Sequence, residues 1–202
     1  ISLAVAVGAY LLFFYLLGPK PAFTVNGKAI SMRMTLQDLE DMGFAIVTDN
    51  RTHINTTGRM GAKQISSNSY QIGVPYGDGS RYELTGLIIT PANFDSSSSG
   101  IMECSIYEIE YHPDFQSAAA DVELAGKDLR HADVAEWADF FESEGYPFDK
   151  EELAEFRAGH KKQILGKRGA YKFQAYSWEY YDDLRFSNIK FIRNIEVEYK
   201  SR

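Results

Sequence analysis

The sequence predicts an α+β protein: an N-terminal transmembrane helix, then antiparallel sheet with helices packed on one sheet face. Three observations carry that reading. The first eighteen residues, Ile1–Gly18, hold no charged side chain. Short runs of alternating apolar residues flank Asn-Gly and Asp-Gly pairs, the pattern of β-hairpins. Later stretches place apolar residues three and four apart, the spacing of one helix face. The order helix, then strands, occurs twice. It suggests two similar halves, 23–112 and 113–202, after an anchor at 1–18 and a linker at 19–22.

At 1.5 Å per residue, a helix over Ile1–Gly18 is roughly 27 Å long, close to the hydrocarbon thickness of a bilayer. The run has no basic front end and no A-x-A cleavage site after it, so retention as an anchor is favoured over removal. Gly8 and Ala9 are small enough to let a neighbouring transmembrane helix approach closely, although simple tethering serves equally well. The expected localisation is the cell membrane, single-pass, with the folded part extracytoplasmic. The lipid bilayer is then the first partner, through residues 1–18.

Pro19-Lys20-Pro21 breaks that helix. Phe23–Val25, Asn26-Gly27 and Lys28–Ile30 read as a tight hairpin, because Asn-Gly suits a type I′ turn. Thr35 is an N-cap and Gly43 a stop for a short helix with Leu36, Leu39 and Met42 on one face. Phe44–Val47 is extended, and residues 48–68 are a polar loop or weak edge strand. Tyr70–Val74 and Tyr82–Thr90 flank Asp78-Gly79 as a second hairpin. Pro91–Gly100, with four consecutive serines, reads as a mobile loop, and Ile101–Tyr111 as a strand. His131–Glu144 sets Val134, Trp137, Ala138 and Phe141 on one helix face, stopped by Gly145 and Pro147. A second helix is capped by Asp149 and runs to Leu165. Three extended runs close the chain: Tyr171–Ser177, Trp178–Phe186 and Ile189–Tyr199.

Composition narrows the function. An apolar fraction of 45% is that of a globular protein. A net charge of −7 argues against nucleic acid, and no basic cluster exceeds Lys161-Lys162 with Lys167-Arg168. The single cysteine, Cys104, leaves no internal disulfide framework. No phosphate loop, nucleophile elbow or metal-ligand motif is present, so no catalytic, metal or cofactor residue is assigned and no cofactor is expected. His112-Pro113-Asp114 is explained by a turn. Glu103, Glu108 and Glu110 offer carboxylates for acid–base work, but solvation on alternate faces of a strand accounts for them.

The aromatic stretch Tyr171 to Phe186 is the strongest functional signal. Alternation buries one set of rings and presents the other, and Tyr and Trp make good contact anchors for their small entropy cost. Tyr176, Trp178, Tyr180 and Tyr181 are the candidate partner-binding residues, against the plainer account that most of these rings fill the core.

Ala132-Asp133-Val134 through Glu144-Gly145-Tyr146-Pro147, followed by Tyr171-Lys172-Phe173 and a last strand over Asn188 to Tyr199, resembles the SmpA/OmlA and β-lactamase-inhibitor-protein class of small extracytoplasmic domains. Thr35-Leu36 through Gly43-Phe44, with Cys104, Ile106 and Ile109, resembles exported, membrane-anchored domains of unknown function from Gram-positive bacteria. Both likenesses imply protein binding or assembly rather than catalysis. The expected function is therefore a non-catalytic accessory or adaptor subunit that binds a protein partner in a membrane-associated assembly. The alternatives are an extracytoplasmic hydrolase using acidic residues, and a structural subunit acting through its membrane helix.

Overall fold

The computed structural model describes residues 23–48, 52–54, 56–77, 81–180 and 183–193. Asn26 and Gly27 take left-handed backbone angles (φ 49° and 74°), as a type I′ turn requires. They fold β1 (Phe23–Val25) back on β2 (Lys28–Ile30), with Phe23 opposite Ile30. In α1 (Leu36–Asp41), Thr35 Oγ1 accepts from the Asp38 N–H and Asp38 Oδ2 from the Thr35 N–H. That reciprocal cap fixes the helix start, and Leu36 and Leu39 are its buried face. β3 (Ala45–Val47), β4 (Arg59–Met60), β5 (Gln64–Ile65), β6 (Tyr70–Tyr76), β7 (Arg81–Asn93) and β8 (Ser99–Gly100) follow. A 3₁₀ turn at Ile101–Glu103 leads into β9 (Ser105–Gln116) and β10 (Val122–Leu124). Then come α2 (Val134–Ser143), α3 (Lys150–Arg157), β11 (Gln163–Arg168), β12 (Tyr171–Tyr180) and β13 (Asp183–Arg193).

Among the described residues, those up to Ala132 with Ser187–Lys190 make one compact unit, and Asp133–Phe186 with residues 191–193 make another. In the first, β1 lies between β2 and β10. A larger sheet runs from residues 187–190 of β13 through β9, β7 and β6 to β3, with β5 beside the end of β7. Ile72, Leu87, Ile89, Ile109 and Tyr111 are buried on alternate positions of its central strands. In the second unit, α2 buries Val134, Trp137, Ala138, Phe140 and Phe141. The Trp137 ring stacks on Phe186 with centroids 4.0 Å apart, and Tyr146 meets Phe173 edge-on at 5.6 Å.

The structure corrects several expectations. Of the described residues, 49% are in strands and 17% are helical, so the α+β class gives way to a mainly β protein with three short α-helices. The second helix stops at Arg157 instead of reaching Leu165, since Gly159 reverses the chain at φ 77° and residues 163–168 pair with β12. Pro91–Asn93 belongs to β7, where a register shift between Thr90 and Pro91 accommodates the missing proline N–H. The serine loop beyond is pinned by Asn93, whose Nδ2 donates to the Gly61 and Ser97 carbonyls at 2.9 and 2.8 Å.

The transmembrane helix is also withdrawn. No helix among the described residues is long and apolar enough to cross a membrane. The longest, α2, has 10 residues, about 15 Å of helix against a bilayer core of about 30 Å, and its apolar face is spent on the aromatic core. The single-pass membrane localisation and the extracytoplasmic placement built on that helix fall with it. Ile1–Gly18, with Gly8 and Ala9, lies outside the described residues.

Candidate functional site: the outer face of β11 and β12

β11 and β12 pair antiparallel with Gln163 opposite Tyr176, Leu165 opposite Gln174 and Lys167 opposite Lys172. Strand alternation turns Ile164, Tyr171, Phe173, Ala175 and Ser177 inward, where all five are buried. The intervening residues form the outer face. Leu165 is 53% exposed and Trp178 42%, unusual values for large apolar side chains. Three polar side chains lie between the two cross-strand ends. Gln163 Nε2 donates to the Tyr176 hydroxyl at 3.0 Å, and that hydroxyl donates to Gln174 Oε1 at 2.8 Å. The rows therefore run from aromatic at Trp178, through amide and phenol, to cationic at Lys167 and Lys172.

Pro147 and Phe148 flank the edge of β11 away from β12. Phe148 bridges to Gly166 of β11, and a Cβ on Gly166 would sit 2.5 Å from the Pro147 carbonyl oxygen. The strap stands against the strand because glycine leaves room for it. Between strap and sheet opens a recess of about 380 Å³, lined among others by Leu165, Lys167, Lys172 and Gln174. Asp149 is the carboxylate at its rim, and its Oδ1 accepts from the Glu151 and Glu152 N–H groups as the cap of α3.

The expected aromatic residues fall as follows. Trp178 is on the outer face and exposed, and Tyr176 is on it and half-buried. Tyr180 ends β12 and its side chain lies outside the described residues, as does the whole of Tyr181. Leu165, Lys167, Lys172 and the two glutamines were missed by sequence reading. Residues 163–165 read as a helix tail, so the partner strand that completes the face was hidden. The signal was nevertheless there in the alternation of Gln163, Leu165 and Lys167 with Ile164 and Gly166.

The acidic candidates have other roles. Glu103 Oε2 accepts from the Gly100 N–H and so caps the 3₁₀ turn. Glu108 and Glu110 share one face of β9 with the ammonium of Lys190, at 3.1 and 3.3 Å. Glu110 also lies 3.0 Å from His112 Nε2 and accepts from Asn188 Nδ2 at 2.5 Å. Burial opposes ionisation of Glu110, but the His112 hydrogen bond and the Lys190 charge outweigh it and hold the carboxyl below its ordinary range. Burial likewise opposes the Lys190 ammonium, and the two carboxylates outweigh it and hold its pKa above the ordinary lysine range. Glu110 is thus held ionised, and both carboxylates pair with Lys190, a sheet-bracing arrangement rather than an acid poised to give up a proton. Among the described residues no three His, Cys, Asp or Glu side chains are disposed to hold a metal ion.

No protein-family model matches the chain, and neither the curated proteins nor the solved structures include a significant match to it.

Proposed function

We propose that this chain is a non-catalytic binding module, an accessory or adaptor subunit that docks on a protein partner through the outer face of β11 and β12. The observation that carries this reading is the pair of exposed apolar side chains, Leu165 and Trp178, set on two paired strands whose opposite side buries Ile164, Tyr171, Phe173, Ala175 and Ser177. A rigid sheet presents them at small further entropy cost, and Trp and Tyr supply much of the energy in characterised interfaces. The hydrogen-bonded Gln163, Tyr176 and Gln174 between them give a partner's polar groups somewhere to bond. The likeness of residues 132–147 to small protein-binding domains points the same way.

The test is comparative capture. The full chain and its L165S/W178A variant are immobilised and exposed to a native extract, and retained proteins are quantified. A stoichiometric partner should be held by the full chain and lost by the variant, with circular dichroism unchanged. Equal retention by both removes this face from the function.

A further inference from the structure

Resting on that reading, we infer that the segment received by the β11–β12 face is an extended, acidic peptide stretch, its carboxylates on Lys167 and Lys172 and an apolar side chain toward Trp178. Charge is the first argument. The chain carries a net charge of −7, yet five of the twelve residues from Lys161 to Lys172 are basic and none is acidic. Three of those five have partners. Lys161 pairs with Glu152, Lys162 lies 3.3 Å from Glu179, and Arg168 donates to the Gly145 carbonyl at 3.2 Å. The side chains of Lys167 and Lys172 have no hydrogen-bond or ion-pair partner among the described residues.

The second argument is their placement. Lys167 and Lys172 stand directly opposite each other, and like charges in that relation oppose strand pairing. A carboxylate set between the two ammonium groups removes the repulsion and gains two charge-assisted hydrogen bonds. The recess beside them supplies the space, and Asp149 at its rim is already engaged as a helix cap. From Lys172 to Trp178 is six residues along one strand, roughly 20 Å, the length of about six or seven residues of extended peptide. Two side-chain cations without a partner among the described residues of this face are too few for a phosphate backbone, which is bound by many. The amide and phenol groups midway suit a peptide main chain, whereas a lipid surface would gain nothing from them.

Fluorescence anisotropy with the full chain tests this. The probe is a dye-labelled peptide of about eight residues, long enough for that span, with glutamates at one end and Leu and Phe at the other. Controls are its Gln-for-Glu counterpart, phosphatidylserine vesicles and oligo-dT. The acidic peptide should bind at least tenfold more tightly than the Gln counterpart at low salt. The preference should collapse near about 1 M salt, where screening acts within about 3 Å. Lys172→Gln should weaken it about three- to fivefold, the range of one exposed ion pair. K167E/K172E, which keeps a like-charged pair at that position, should abolish it with circular dichroism unchanged, and should favour a lysine-bearing peptide instead. Equal binding of the two peptides, or stronger binding to vesicles or oligo-dT, overturns the acidic assignment. Retention of peptide binding by the L165S/W178A variant overturns the face itself. No binding of either peptide overturns the inference.

Discussion

Glu110 shows how one buried carboxylate ties stability to pH. Its neighbours on β9 and β13 are Glu108, His112, Asn188 and Lys190. With its pKa held below the ordinary range, the native state binds this proton less avidly than the unfolded chain. The stabilisation is therefore complete above the unfolded value and is lost as pH falls through the lower folded value. Lys190 behaves in the opposite sense: its raised pKa stabilises below the unfolded lysine value, and that contribution fades as pH climbs through the folded one. Glu110→Gln should cost about 1–3 kcal/mol at neutral pH, the range for a hydrogen-bonded charged group. Urea unfolding of the two proteins over a pH series should show the gap closing below about pH 4, near the ordinary glutamate value. A gap independent of pH would show that the network contributes only shape. Nothing in the sequence announced this cluster. Glu108 and Glu110 were visible on one strand, but Asn188 and Lys190 are 78 and 80–82 residues away, and only sheet pairing unites them.

Among the elements, the hairpins and caps were legible because their chemistry is local. Asn26-Gly27 determines a turn and Thr35 with Asp38 a helix start, whatever surrounds them. Asp133 and Asp149 cap α2 and α3 in the same local way. The extents of strands were not legible, because a strand runs as far as its neighbour allows. Ser187, left between two extended runs, lies inside β13. β11 was the costliest miss: its residues suit a helix in isolation, and pairing with β12 decides otherwise. The same pairing makes Gly166 sensitive. Gly166→Ala would push a methyl into the Pro147 carbonyl, 2.5 Å away, and the neighbour is backbone rather than a side chain that can swing aside. We expect a loss of about 1–3 kcal/mol, as for other overpacked positions, measured as a lower urea midpoint. The same variant should weaken probe binding, because the strap and the recess both lean on that residue.

At the scale of the whole molecule, the aromatic core of the second unit was the part best read from the spacing of apolar residues. Val134, Trp137, Ala138 and Phe141 do face inward together, and Trp137 is completely buried. The reading of the leading apolar run as an anchor went further than the described residues bear out. Length and lack of charge describe what a segment tolerates, and they do not state what a chain does with it. The division into units also could not be read in advance, because it does not follow the order of the sequence. Ser187–Lys190 belongs with Pro21–Ala132, while the flanking parts of β13 belong with the other unit. A chain cut before Ser187 loses the strand beside β9 and leaves Glu108 and Glu110 without Lys190. It should aggregate on refolding, seen by light scattering, since an unpaired strand edge templates association. During synthesis, residues 187–190 must leave the ribosome before the sheet of β3, β6, β7 and β9 has its last neighbour. The N-terminal portion therefore waits half-finished, an interval in which a chaperone would find it.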